Sequence, residues 1–105
     1  LAGVIATNTT ISRDGLKTDK AKVDAIGAGG LSGAPLKARS LEVLQLLAKR
    51  LGKSMAIISV GGIETAAEAA ERLKAGATLV QGYSGFIYEG PLWARRINRD
   101  VAKHL

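Results

Sequence analysis

Three short runs of aliphatic residues predict β-strands at Leu1–Thr7, Ser54–Val60 and Ala77–Tyr83. Continuous apolar runs of this length are typical of strands that are covered on both faces, as in a parallel sheet. Gly61 and Gly62 follow the second run directly, as expected where a strand ends in a tight turn. Length and flanking glycines therefore favour strands over buried helices.

Three longer segments carry apolar residues at spacings of three and four and predict helices at Lys37–Leu51, Glu64–Ala75 and Pro91–Leu105. The predicted apolar face of the first helix consists of Leu41, Leu44, Ala48 and Leu51. That of the last helix consists of Trp93, Ile97, Val101 and Leu105. The middle segment is rich in Ala and has acidic residues in its first turn, which complement the helix dipole.

Strands and helices therefore alternate, and this order predicts βα units around a parallel sheet. The exception is Thr10–Pro35, a polar and Gly-rich stretch without a clear period, which predicts a long loop that is functional or disordered. Within it, residues 13–28 are a candidate lid, the alternative being a solvated basic loop.

A three-stranded parallel sheet has two open edges, and a complete (β/α)₈ barrel needs about 250 residues. The 105 residues begin without Met and end in a predicted helix. The expected fold class is therefore α/β, with residues 1–105 forming the C-terminal part, about three βα units, of a TIM (β/α)₈ barrel.

Composition narrows the possible functions. Without cysteine the chain has no disulfide scaffold and no thiolate metal site, and no metal site is predicted. No apolar run reaches the roughly 20 residues of a membrane helix, so a soluble chain is expected. Fifteen Lys and Arg against nine Asp and Glu give a net charge of +6, which favours an anionic partner or serves solubility alone. Aromatic content of 4% argues against a platform for stacking nucleic-acid bases.

Polar residues follow the first predicted strand at Thr7–Thr10. In parallel α/β folds the carboxyl ends of the strands face the ligand. Asn8 offers both an acceptor and a donor, so it can match a cyclic imide, while the neighbouring Thr hydroxyls can do either. The alternative is a strand end that these side chains merely cap.

Glycine-rich turns occur at residues 29–35, at 60–63 and at 81–86. Glycines let the backbone approach a ligand closely and aim N–H groups at phosphate oxygens. A helix follows the second turn, and its dipole is expected to add positive potential there. Barrels often bind phosphate with their last two strand ends, so these turns are candidate phosphate sites, with ordinary tight turns as the alternative.

Four motifs in register resemble the C-terminal portion of the dihydroorotate dehydrogenase family. They are TNTT at 7–10, GGLSGAPL at 29–36, SVGGI at 59–63 and LVQGYSGFIYEGP at 79–91. The GGLSG form is most similar to the class 2, quinone-linked, membrane-associated members. The chain departs from the pattern at Ala56 and Ser59, expected to alter packing only, and at Gly82, expected to loosen the last strand.

The resemblance implies oxidation of dihydroorotate to orotate in pyrimidine biosynthesis, with FMN as hydride acceptor and quinone as final acceptor. The FMN-binding residues that it implies are Thr7, Gly33, Gly61, Gly62, Tyr83 and Ser84. Asn8 and Thr9 would hold the dihydroorotate or orotate ring.

The same resemblance places the family's catalytic serine and the quinone-binding helices upstream, so no catalytic residue is predicted here. Ser12, Ser32 and Ser84 are excluded as the base by position, and His104 is expected at the surface. The expected partners are the rest of the barrel and, through the N-terminal region, quinone at a cytoplasmic or inner membrane. Two alternatives stay open: another FMN-dependent barrel, such as a soluble class 1 or dihydropyrimidine dehydrogenase-like enzyme, and a non-catalytic basic domain that binds nucleotides or nucleic acid.

Overall fold

Strands and helices alternate along the chain in the computed structural model, which describes residues 1–105. The strands are β1 (Gly3–Ala6), β2 (Ala56–Val60) and β3 (Leu79–Gln81). The helices are α1 (Lys20–Ile26), α2 (Lys37–Leu51), α3 (Ala66–Lys74), α4 (Ser84–Glu89) and α5 (Trp93–Asp100). Single 3₁₀ turns occupy Ala34–Leu36 and Val101–His104. None of the helices combines the length and hydrophobicity that crossing a bilayer requires.

The three strands form one parallel sheet in the order β1-β2-β3, which confirms the predicted α/β organisation. Ile5, Ile58 and Leu79 share one register position across the sheet. Because all three strands run the same way, their carboxyl ends meet at one edge of the sheet. The segments that follow the strands therefore start side by side.

One face of the sheet is covered and the other is open. On the covered face, Ile57 and Ser59 of β2 are buried, and Leu44 of α2 packs against Ile57. On the open face, Ile5 is 61% exposed and Leu79 is 58% exposed. The prediction of strands covered on both faces is therefore wrong for β1 and β3, because the helices of this chain cover one side of the sheet only.

The helix predictions hold to different degrees. The bounds of α2 are those predicted, and its leucine face packs on the sheet as expected. Helix α3 begins only at Ala66, because Thr65 caps its N-terminus. The predicted last helix is divided: α5 ends at Asp100 and a 3₁₀ turn follows. Leu105, expected on the buried face, is 64% exposed, since the tighter turn rotates it away from the core.

Two helices were not predicted. Helix α1 lies within the stretch 10–35 and contains no buried residue, so the sequence carries no apolar period that could reveal it. Helix α4 starts three residues after β3 ends, and the third strand is shorter at both ends than the predicted span of 77–83.

The core consists of two clusters of buried side chains: one contains Leu44 and Ile57, and the other is built around Trp93. Its indole packs with Ile63 and Ile97, and its Nε1–H donates to the carbonyl of Glu64 at 2.8 Å. Two glycines leave room for the ring: a Cβ at Gly85 would lie 2.9 Å from indole Cζ2, and a Cβ at position 82 would overlap the ring. Gly82 therefore allows close packing rather than loosening the strand.

We expect Gly82→Ala to lower the free energy of unfolding by about 1–3 kcal/mol, the usual cost of overpacking a core. Urea unfolding followed by circular dichroism measures this loss. Combining it with Trp93→Phe, which shortens the ring, should give less than the sum of the two single losses. Additive losses would show that the new methyl group does not meet the indole.

Candidate functional site

A cleft of about 530 Å³ lies at the carboxyl edge of the sheet. It is formed by the ends of all three strands together with the turn at residues 32–33. All the site residues predicted from the sequence line it: Thr7, Asn8, Thr9, Gly33, Gly61, Gly62, Tyr83 and Ser84. The structure thus brings together residues from four separate segments, while their individual roles stay predictions.

The polar residues after β1 are held by the chain itself. The N–H of Thr7 donates to the carbonyl of Val60 at 2.8 Å, which fixes the end of β1 beside β2. Asn8 Oδ1 accepts from the N–H of Thr9 at 2.8 Å and from its hydroxyl at 3.4 Å. The acceptor of Asn8 is therefore already used locally, and its side-chain NH₂ is the group left free to donate to a ligand.

The glycine-rich turn at 29–33 closes one side of the cleft. Backbone hydrogen bonds between Thr10 and Leu31, of 3.0 and 2.7 Å, hold the two ends of the long loop together. A Cβ at Gly30 would overlap the hydroxyl of Thr9, so only glycine allows this approach. The hydroxyls of Ser32 and Ser84 lie 2.7 Å apart, which joins the turn to the end of β3.

Gly62 lies on the opposite side, pressed against the start of α2. Its φ of +77° favours glycine, and a Cβ there would lie 2.7 Å from the Cα of Lys37. Although Gly62 is buried, its N–H donates no hydrogen bond within the chain. Buried N–H groups almost always have a partner, so this one is available to a ligand in the cleft.

A buried arginine stands behind this turn. Arg72 of α3 is 1% exposed and donates to the Ser59 hydroxyl at 3.0 Å and to the carbonyls of Gly61 and Lys37 at 2.9 and 3.1 Å. Burial lowers the pKa of its guanidinium. The hydroxyl of Ser40 donates to the same Gly61 carbonyl at 2.7 Å. Ser59, expected to alter packing only, therefore takes part in a polar network.

Neither Arg72 nor Ser40 is among the residues predicted from the sequence. Arg72 lies in the charged stretch ERLK, a pattern that is typical of an exposed helix surface. One signal was present: residue 72 follows the small, buried Ala69 by three positions, so both lie on the same face of the helix. A charged residue on an apolar helix face suggests a buried polar contact.

A capping box closes the N-terminus of α3: the Thr65 hydroxyl accepts from the N–H of Glu68, and the Glu68 carboxylate lies at the same helix end. The contribution of the helix dipole to a ligand in the cleft stays a prediction. Glu68 Oε2 accepts from the N–H groups of Glu64 and Thr65 at 2.7 and 3.0 Å, and Glu68 pairs with Lys37. Burial raises the pKa of Glu68, but the hydrogen bonds from Lys37 and the two N–H groups outweigh it and lower the pKa. The hydrogen bond to Glu68 raises the pKa of Lys37.

The fold and the cleft define the class: a parallel βα segment of a (β/α)₈ barrel, with a glycine-rich cleft at the carboxyl edge of its sheet. The family model for dihydroorotate dehydrogenase matches residues 1–105, which is the whole chain. The chain therefore belongs to the dihydroorotate dehydrogenase family.

Individual relatives agree with this assignment. The chain is 68% identical over 105 residues to the dihydroorotate dehydrogenase (quinone) of Rhodococcus erythropolis, and 65% identical over 102 residues to that of Thermobifida fusca. These two matches cover 100% and 97% of this chain, but only 30% and 27% of the relatives. The chain thus spans less than a third of their length.

Solved structures show the same fold. Dihydroorotate dehydrogenase from Eimeria tenella, in complex with ferulenol, superposes with a TM-score of 0.86 at 42% identity. The match covers 98% of this chain and 26% of that one. The ligand-free form of the same protein gives the same TM-score and identity. The prediction of a barrel segment is therefore confirmed.

The role of Glu68 in the capping box of α3 predicts how the free energy of unfolding depends on pH. We expect Glu68→Ala to cost about 1–2 kcal/mol at neutral pH, because the helix end loses the Glu68 half of its capping box and the ion pair with Lys37. Glu68→Gln keeps a capping oxygen and should cost less. Because the folded-state pKa lies below the ordinary 4.5, the stability contributed by the charge is present above pH 4.5 and is lost as the pH falls through the lowered value.

Urea unfolding at a series of pH values tests this expectation. The wild-type chain should lose stability below pH 4.5 more steeply than Glu68→Gln does. An identical acid slope in the two proteins would contradict the assigned role of the Glu68 charge.

Proposed function

We propose that this chain forms the phosphate and substrate side of the active site of a dihydroorotate dehydrogenase. The reaction is oxidation of dihydroorotate to orotate in pyrimidine biosynthesis, with FMN as hydride acceptor and quinone as final acceptor. The observation that carries the proposal is the convergence of all the implied binding residues on one cleft of about 530 Å³. The family match favours this enzyme over a basic nucleic-acid-binding domain.

The residues present fit an FMN phosphate. Gly62 offers a buried N–H without a partner, at a turn too close to α2 to accommodate a side chain. The Ser84 hydroxyl and the backbone at Tyr83 line the same cleft from β3. Thr7 and Gly33 complete the proposed set of cofactor contacts, together with Gly61. When bound, FMN supplies the hydride acceptor, and the role of these residues is to bind and orient it.

Asn8 and Thr9 fit the substrate ring. The free NH₂ of Asn8 can donate to a carbonyl of the dihydroorotate imide, and the Thr9 hydroxyl can donate or accept beside it. Because Oδ1 of Asn8 is held by the N–H of Thr9, the amide is oriented before substrate arrives. Orientation of this kind lowers the entropic cost of binding in a reactive geometry.

The remaining parts of the reaction are proposed to come from outside residues 1–105. Ser32 and Ser84 hydrogen-bond to each other, which does not fit a proton-abstracting base. The open face of the sheet carries the apolar row Ile5, Ile58 and Leu79, a surface suited to covering by the rest of a barrel. Quinone, and peripheral attachment to a membrane, belong with that larger protein.

The chain by itself is expected not to oxidise dihydroorotate, because the proposal places the base outside residues 1–105. We define a grafted enzyme in which these 105 residues replace the matching segment of the Rhodococcus erythropolis protein, which is 68% identical. Dye reduction with dihydroorotate and FMN should be undetectable for the chain and clear for the grafted enzyme. Turnover by the isolated chain, or an inactive but folded grafted enzyme, would refute the proposal.

Asn8→Ala in the grafted enzyme should lower kcat/KM for dihydroorotate roughly 10- to 100-fold, the value of one or two lost hydrogen bonds. FMN content should stay at the level of the parent, since Asn8 is assigned to the substrate. Asn98→Ala is the matched control, because Asn98 is exposed on α5, and it should change neither quantity. Loss of FMN together with substrate binding would contradict the division of roles.

A further inference from the structure

Arg72 is a buried cation without a carboxylate in contact. All three of its hydrogen-bond partners are neutral: the Ser59 hydroxyl and the carbonyls of Gly61 and Lys37. Glu68 and Glu71 influence it only through space, and Glu68 is already paired with Lys37. Buried charges in proteins are normally paired, so the missing partner of this guanidinium calls for an explanation.

The position of Arg72 determines where the neighbouring peptide group points. The peptide between Gly61 and Gly62 is trans, so its C=O and its N–H point in opposite directions. Arg72 and Ser40 both hold the C=O of Gly61 on the buried side of the turn. The N–H of Gly62 therefore points away from them, and Gly62 itself lines the cleft.

We propose that Arg72 is a positioning residue for the phosphate site: it aims the N–H of Gly62 into the cleft, and its buried charge is balanced there by the ligand's phosphate. This inference rests on the proposed function. The guanidinium does not touch the ligand, since Arg72 does not line the cleft. Its charge acts across a single peptide group, through a low-dielectric interior that screens it weakly.

A purely structural role for Arg72 makes a different prediction. The residue ties α3 to β2 and to the start of α2, so its loss would disturb the whole cleft. Such a disturbance should weaken every flavin equally. A positioning role should instead weaken only flavins that carry a phosphate. FMN and riboflavin differ in that group alone, so their affinities separate the two roles.

The test uses the grafted enzyme freed of flavin and titrated with FMN or riboflavin, with flavin fluorescence as the measurement. Arg72→Met should lower the affinity for FMN roughly 10- to 100-fold, the range expected for loss of a charge-assisted interaction. The affinity for riboflavin should change less than about threefold. Arg50→Met removes an exposed charge from the last turn of α2 and should alter neither affinity.

If Arg72→Met does not fold, as judged by circular dichroism, two further variants distinguish a positioning role of Arg72 from a structural one. Arg72→Lys keeps the charge but not the fork of donors, and should keep part of the preference of the unsubstituted grafted enzyme for FMN over riboflavin. Ser59→Gly removes one anchor of the guanidinium and should lower that preference relative to the unsubstituted grafted enzyme, with the affinity for riboflavin unchanged.

Equal losses for FMN and riboflavin in the folded variants, or no loss at all, would overturn the role of Arg72. Failure of the proposed function has a different signature, because the unsubstituted grafted enzyme would then bind FMN no more tightly than riboflavin.

Discussion

The guanidinium of Arg72 joins the parts of the structure that must meet to form the cleft. Its three hydrogen bonds reach β2, the turn after β2, and the first residue of α2. A buried donor that loses its partner costs about 1–3 kcal/mol, and more when it is charged, so these bonds hold their elements in one arrangement. The positions of Gly61 and Gly62, and with them one wall of the cleft, follow from this constraint.

The backbone of the turn after β2 also packs closely against the start of α2. Gly62 lies against the backbone of Lys37, so the start of α2 and the turn after β2 approach more closely than side chains would allow. The ion pair of Lys37 with Glu68 links α2 to the cap of α3 at the same place. The loop that precedes α2 is then carried beside the strand ends, where Ser32 meets Ser84. Three segments distant in sequence thus become neighbours.

Helices cover one face of the sheet and leave the other face exposed, which agrees with the proposal that the rest of a barrel covers the exposed face. The covered face buries Ile57 and Ser59 under the helices, whereas the open face exposes Ile5 and Leu79. In a closed barrel the inward side chains of all strands fill the centre together, so a few strands leave this surface uncovered. The carboxyl edge is nevertheless complete enough to form a cleft, because each strand is followed by its own polar or glycine-rich turn.

The sequence by itself determined the alternation of three strands with α2, α3 and α5, the bounds of α2 and the family, because apolar periodicity and four spaced motifs are local properties. It also indicated eight of the 17 residues that line the cleft. Helices α1 and α4 escaped it, since neither has an apolar period long enough to detect. Only the tertiary structure decided that Arg72 is buried, that Glu68 pairs with Lys37 at the start of α2, and that one face of the sheet is open. These features depend on which distant groups meet, and contacts between distant groups leave no periodic signal along the chain.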